Sequence, residues 1–444
     1  MLSRKLAKFT DGLNYETLSP AVVEAAKMAI TDWLGSVAAG SSQPPAMKVK
    51  KIIKRAGGNP RATIIGSNEK SSALYAALAN GTSCHILELD DLHRSSILHP
   101  AAPIISAAFA AAEEREASGR ELITAVVAGF EVGIRIAEAV TPSHYYYWHT
   151  TATCGTFGAA VAAAKVYELN VDQVIDALGN AGSQAAGLWE FLQDGAMTKH
   201  LHPGKAAMNG LLAVQLAEEG FTGAKCILEG EKGFFKATAK EYFPERVTAG
   251  LGSEYRILGN SYKIYPSCRH THSGVDLALQ LASEGLRPED IEKITVKTYD
   301  HAVDLVGRYK DETPYKAKFS LPFCMGAALV EQKLDLNSFD FSMPLNSRIR
   351  DLGQRCIVTA DQQIENKYPD SWGAALKVLL KDGTTLHAHT DYPRGDPENP
   401  VAADEIRDKF KNLALRVWPE EQVKKTLEFL HSLEDARRVD ELFN

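Results

Sequence analysis

Residues 19–40 read SPAVVEAAKMAITDWLGSVAAG. Ser19 is a helix N-cap and Pro20 sits at the first turn, where its missing N–H costs nothing. The run behind them is apolar nearly all round, as in a helix buried among other helices, and it stops near Gly40. The same texture spreads outward on the C-terminal side. Helices are expected at Ser71–His85, Ala101–Ser118, Glu121–Val140, Thr153–Glu168, Val171–Gln184 and Lys205–Gly220. Ala and Gly are abundant in them, which lets helix backbones approach closely.

Near Gly252 the pattern changes. EYRILGNSYKIYP (254–266), KITVKTYD (293–300) and ALKVLLKDGTTLHAHTDYP (375–393) are short and rich in β-branched or alternating residues. Lys381-Asp382-Gly383 marks a hairpin turn. Helical patterns at His272–Glu284 and Pro322–Val330 interrupt these strands, and from Asp404 helix returns and runs through Leu442. The expected fold is mainly α: a large all-helical domain built from 1–253 and 400–444, and a smaller α+β domain over 254–399.

Composition narrows the function. The 444 residues carry 49 Lys+Arg against 56 Asp+Glu, a net charge of -7. No basic excess points to nucleic acid or an anionic membrane. No run of 18 uncharged apolar residues predicts a span. The six cysteines are scattered without a CxxC pair, so zinc-ribbon and iron–sulfur spacings are absent. A reduced, cytoplasmic protein is expected. There is no GxGxxG after a strand, no P-loop and no HEXXH.

The histidines are uneven. Nine of the thirteen lie between His85 and His272, most of them in four polar clusters: NGTSCHILELDDLHRSSILHP (80–100), HYYYWHTTATCGTFG (144–158), MTKHLHPGKAA (197–207) and KIYPSCRHTH (263–272). Each taken alone reads as satisfied polar groups at helix ends. Four together read as loops and helix ends converging on a pocket. The inventory suits proton abstraction beside a carboxylate. Histidine or a depressed lysine supplies a base, cations stabilise the developing charge, and arginine grips a carboxylate with two bonds. The His200-x-His202 and His270-x-His272 pairs with Asp90-Asp91 offer a metal-dependent hydrolase as a rival. A non-catalytic carboxylate-binding protein is another.

In order and spacing the clusters resemble the MmgE/PrpD family. The matching stretches are HILELDDLHRSSILHP at His85, GFEVGIRI at Gly129, WHTTATCGTFGAAVAAAK at Trp148, TKHLHPGKAAMNGLLAVQLAEEGFTG at Thr198, YPSCRHTHSGVD at Tyr265 and AKFSLPFCMGAAL at Ala317. The resemblance implies the two-part fold above with the smaller domain as a lid, a homodimer, no cofactor and no metal. It implies a lyase on a small di- or tricarboxylic acid, 2-methylcitrate dehydratase-like or cis-aconitate decarboxylase-like. An epimerase of a dicarboxylate such as iminodisuccinate is the alternative.

Carried onto this sequence, the catalytic expectations are His99, Tyr146, His149, Lys199 and His272. Substrate binding is expected at Glu88, Asp91, Leu92, Tyr145, His202, Arg269 and Phe323. Tyr145, Tyr146 and Tyr147 are equivalent candidates for an acid–base tyrosine. Three positions depart from the family: Glu88 stands where Asp is usual, Leu92 where Thr is common, and Phe323 where decarboxylase- and dehydratase-like members place a tyrosine. Loss of that last hydroxyl gives weight to a different acid, or to an isomerase.

Overall fold

A computed structural model describes residues 1–67, 69–342 and 346–443. By its internal contacts the chain divides into two units. The first comprises 1–86, 90–260 and 402–444; the second comprises 87–89 and 261–401.

The first unit is helical. Ser19 accepts a hydrogen bond from the Val22 amide and Pro20 opens a helix that runs to Gly40. Around it lie Ala73–Cys84, Ala101–Glu114, Gly119–Val140, Thr150–Val166, Val171–Gly182 and Thr198–Glu218. Several carry their own start signals. Ser118 with Glu121 and Asn170 with Gln173 form capping boxes, each satisfying amides that a helix start leaves open. The helix Ala101–Glu114 is buried over nearly its whole surface. Small residues make the packing close: a Cβ added to Gly81 would lie 2.8 Å from Gly204 Cα, and one on Gly204 2.3 Å from the Leu78 carbonyl oxygen. The helices Ala73–Cys84 and Thr198–Glu218 therefore meet backbone to backbone.

The C-terminal segment completes this unit. The helix Ala403–Ala414 packs on Pro20–Gly40, and Lys409 Nζ lies 2.6 Å from the buried Asp32. The helical pattern expected through Leu442 comes in separate pieces. It stops at Ala414, restarts at Glu420 behind Pro419, stops again at His431 and ends in short 3-10 turns.

The second unit holds a four-stranded sheet in the order Cys356–Ala360, Ile291–Thr298, Ala374–Leu380, Thr385–Thr390. The first pair is parallel and the other two are antiparallel. Ile291, Ile294 and Val296 are fully buried, and the helix His272–Ser283 packs on the sheet. The hairpin turn is where the sequence placed it: Gly383 has φ +88°, a conformation that suits glycine. The stretch 254–266 is strand at only two residues. It holds a 3-10 turn at Arg256–Gly259 and a two-residue bridge at Asn260–Ser261. Among the described residues no helix is long and apolar enough to cross a membrane.

Candidate active site

His85 caps the C-terminus of the helix Ala73–Cys84. Its Nδ1 is 2.6 Å from Asp90 Oδ2, and both residues are fully buried. His99 follows in the same loop. Its Nδ1 is 2.6 Å from the Asp91 carbonyl oxygen and 3.4 Å from Asp90 Oδ2. A carbonyl only accepts, so this bond places a proton on His99 Nδ1; a neutral ring then carries its lone pair on Nε2.

Asp91 and Leu92, expected to bind substrate, are tied up in the scaffold. The Asp91 carboxylate accepts from the Ala101 amide at the start of the next helix (3.1 and 3.3 Å) and from Asn260 Nδ2 (2.9 Å). Burial foremost, then the charges of Asp90 and Asp32, push its carboxyl well above the usual range. Leu92 is 2 % exposed, inside the core of the loop.

The next two clusters meet around His149. It precedes the helix Thr150–Val166, and its amide donates to the Gly187 carbonyl (2.9 Å). The helix bearing Lys199 and His202 starts at Thr198, earlier than the expected Lys205, and takes Pro203 into its interior. The TKHLHPGK motif is therefore helical. His202 Nδ1 lies 3.1 Å from His149 Nδ1. The His149 ring stacks on His85 at 5.6 Å, lies 6.5 Å from His99 and packs on Trp189 at 4.7 Å.

Burial first, then the charges of His85, His202, Lys199 and His99, hold His149 well below its ordinary pKa. Burial, His85, Lys205 and Lys199 lower His202 to about 4. Burial thus disfavours the cation on both rings. Lys199, 4 % exposed, is close enough to act on both.

The tyrosines separate. Tyr145 packs edge-on against Trp189 at 4.9 Å and so reaches the His149 group through one ring. Tyr146 is 77 % exposed and pairs with Tyr147. Of the three tyrosines it is Tyr145, not the Tyr146 expected to be catalytic, that packs on Trp189.

The second unit has its own polar group. Arg269 is buried and heavily engaged. It bonds Asp396 (2.5 Å) and the carbonyls of Arg394 (3.0 Å), Tyr262 (3.3 Å) and Pro393 (3.4 Å). Its Nη1 also meets His272 Nδ1 at 3.0 Å. Since guanidinium only donates, His272 Nδ1 accepts, and Nε2 holds the ring proton toward the Ser267 carbonyl (3.4 Å). Arg269 thus organises the 393–396 loop and the His272 tautomer. Glu88 has φ +58°, an uncommon conformation for a residue with a side chain, and Lys263 Nζ lies 3.3 Å from its carboxylate. Phe323 is wholly buried, with Phe339 and Phe341 at 5.6 and 5.9 Å. It is core of the helix Leu321–Glu331, not the substrate contact expected.

For the metal alternative the structure brings together one group among the described residues. His85, Asp90 and His99 do offer ligand atoms within 4.8 Å of one another. The two histidine Nδ1 atoms serve hydrogen bonds to Asp90 and to a carbonyl, which leaves Nε2 of each ring as its available atom. His200 and His202 stand two apart on one helix, roughly 200° around it, so they cannot chelate together. His270 stacks on Trp372 at 4.3 Å and bonds Tyr299.

Sequence reasoning singled out neither His85 nor Trp189. His85 opens a quoted motif, and its two-sided polar spacing to Asp90 was the available signal. Trp189 lies outside every cluster and had none.

Neutral, buried histidines beside a lysine are the equipment of an enzyme that moves protons. The chain belongs to the MmgE/PrpD family: it matches the MmgE/PrpD N-terminal domain over residues 4–246 and the MmgE/PrpD C-terminal domain over residues 265–435. It is 28% identical to a cis-aconitate decarboxylase of Aspergillus terreus, over 100% of this chain and 96% of that protein. Identity to the cis-aconitate decarboxylase of Mus musculus is 26%, over 98% and 91% of the two chains. Identity to the 2-methylcitrate dehydratase of Salmonella typhimurium is 22%, over 63% of this chain and 60% of that one.

Proposed function

We propose that this protein is a cytoplasmic lyase, working without a cofactor, that cleaves a small tricarboxylic acid by moving protons beside a carboxylate. Decarboxylation of a cis-aconitate-like acid is the leading reaction, with dehydration of a 2-methylcitrate-like acid as its sibling. The observation that carries this reading is the buried group His85, His99, His149 and His202 with Lys199 beside it, in a chain that aligns along its whole length with cis-aconitate decarboxylases.

The chemistry follows from charge. When the C–C bond to a departing CO2 breaks, its electron pair stays on carbon and spreads into the neighbouring carboxylate. Lys199 compensates that added negative charge; a preplaced cation in a dry site does so without reorganisation. A histidine then protonates the carbon. Loss of CO2 frees no proton, so His149 takes one from solvent as the developing negative charge raises its low pKa, and then delivers it to carbon. In a dehydration the same group first removes a proton, and a second acid protonates the leaving hydroxyl. Tyr145 is the tyrosine assigned to the leaving hydroxyl, and His99, its Nδ1 proton held by the Asp91 carbonyl, orients the substrate through Nε2.

A homodimer is part of the proposal. Tyr146, Tyr147, Leu188, Leu192, Met197 and Leu201 are exposed, and their segments are joined by a bridge between Trp148 and Leu188. A cluster of exposed apolar side chains of this kind suits a contact with a second copy. Light scattering at micromolar concentration measures the mass directly.

The deciding experiment incubates the protein with cis-aconitate, 2-methylcitrate, citrate and iminodisuccinate in deuterated water, followed by NMR. Loss of CO2 or water from a tricarboxylate establishes the lyase. Deuterium exchange at carbon without either loss, or inversion of iminodisuccinate, would replace it with the epimerase.

A further inference from the structure

The two Nδ1 atoms of His149 and His202 are 3.1 Å apart. Two bare ring nitrogens repel at that distance, and two N–H groups clash. A bond exists only if one proton lies between them. The rings must therefore be complementary: when His149 carries its proton on Nδ1, His202 carries its own on Nε2, and the reverse.

The backbone fixes this approach. Gly187 accepts the His149 amide bond at 2.9 Å. A Cβ at Gly187 would sit 3.3 Å from His202 Nδ1 and 2.3 Å from Ala152 Cβ. One glycine thus anchors the first ring's backbone and leaves room for the second ring. The ionisable groups acting on the pair are His85 and His99 from the 85–99 loop, and Lys199 and Lys205 from the helix of His202.

We propose that His202 is a positioning residue whose Nδ1 takes up the inner proton of His149 during turnover, so that His149 changes from base to acid. The step balances. In the resting pair His149 Nδ1–H donates to His202 Nδ1, and the His149 Nε2 lone pair faces outward. When Nε2 accepts a proton, from substrate in a dehydration or from solvent in a decarboxylation, the Nδ1 proton crosses 3.1 Å to His202. His149 is then neutral with a proton on Nε2, and His202 is the cation. Delivery of the Nε2 proton to carbon or to a leaving hydroxyl returns the inner proton to His149. The positive charge is carried by two rings and never confined to the fully buried one, a smaller desolvation penalty than a lone imidazolium would meet. This gives His202 a task other than the substrate contact expected from sequence. It rests on the assignment of His149 as a proton carrier in the proposed reaction.

The test has one arm that needs no substrate. The full-length protein, with 15N-labelled histidine, is examined by two-bond 1H–15N correlation at pH 7, the two rings being assigned from His149→Gln and His202→Phe spectra. The expected result is one Nδ1–H and one Nε2–H tautomer in the pair, with the surviving His149 losing its single tautomer in His202→Phe. Two Nε2–H tautomers overturn the proposal whatever the enzyme's activity. The second arm is kinetic, on whichever tricarboxylate the protein turns over. His202→Phe should lower kcat about a hundredfold, the low end for loss of acid–base function, with KM little changed. His202→Asn, which keeps a polar atom near Nδ1 but cannot carry the proton, should fold as the parent does and recover at most about a tenth of kcat. Full activity in His202→Asn refutes proton uptake by His202. Absence of turnover in the parent protein overturns the proposed function and leaves the tautomer result standing.

Discussion

Asp90 Oδ2 lies 2.6 Å from His85 Nδ1 in a part of the helical unit closed to solvent. The carboxylate fixes the His85 proton on Nδ1, which leaves Nε2, buried and without a hydrogen-bond partner among the described residues, as the basic atom. A carboxylate holding a histidine in one tautomer is worth roughly a hundredfold or more where that histidine serves proton transfer. Asp90→Asn should lower kcat by about that factor with a modest change in melting temperature. Asp90→Ala removes the acceptor altogether and should cost about 1–3 kcal/mol in urea unfolding. Equal activity in all three proteins would dismiss His85 from the reaction.

Lys199 lowers the pKa of both His149 and His202. In Lys199→Ala that charge is gone, so both rings should titrate at higher pH. His202 should move up from about 4, read by NMR titration of its ring carbons. In Lys199→Arg the pKa values should stay near the parent's. A carboxylate grip specific to lysine would show as lost kcat in both variants.

Glu113 gives stability a pH signature. Burial raises its carboxyl to about 7, against the bonds it accepts from Thr63. Between the unfolded value near 4.5 and about 7 the folded protein keeps a proton that the unfolded chain has released. The stability this acid provides is complete below pH 4.5 and is lost as pH rises through about 7. His93 and His144 act in the opposite sense. Burial lowers each to about 4, so stability falls as pH drops from 6.5 toward 4. Glu113→Gln should therefore gain on the parent by roughly 3 kcal/mol between pH 4 and pH 8, read as urea midpoints at the two pH values. A pH-independent difference between the two proteins would show that Glu113 is ionised in the fold.

Packing yields the fourth expectation. A Cβ at position 204 would meet the Leu78 carbonyl oxygen and Thr82 Oγ1, each at 2.3 Å. Helix propensity alone would make Gly204→Ala stabilising by roughly 0.8–1 kcal/mol. The contact wins, because a backbone carbonyl cannot swing aside, and overpacking of this kind costs about 1–3 kcal/mol. The variant should melt below the parent. A higher melting temperature would mean that the two helices separate with ease.

The helical layer was legible because apolar residues all round a helix, with Ser19-Pro20 and other caps at their starts, admit few other readings. The hairpin at Gly383 was legible for the same local reason. Local signals failed where a neighbour decided the outcome. Pro203 marks a helix end in most sequences, yet the helix runs from Thr198 because its small residues lie against the helix Ala73–Cys84. The stretch 254–266 alternates like a strand, but partners line up for only two of its residues. At the site, the polar clusters and the family resemblance singled out His149, His202 and Lys199, and the structure brings these three together. The sequence could not distinguish Tyr145 from Tyr146, since adjacent residues of one 3-10 turn face different directions. Nor could it tell that Asp91 caps a helix while Asp90 orients a histidine.

The contact of Gly81 with Gly204 bears on how such an enzyme diversifies. One helix ends at His85; the other carries Lys199 and His202. Joined backbone to backbone, they offer natural selection no adjustable spacing. A mutation that enlarges either glycine breaks the frame, and none can widen it by degrees. The room left for new substrate preference lies outside that frame, in segments such as 143–147 and 188–197 around Tyr145 and Trp189. The acid–base frame is inherited whole while the surrounding residues explore.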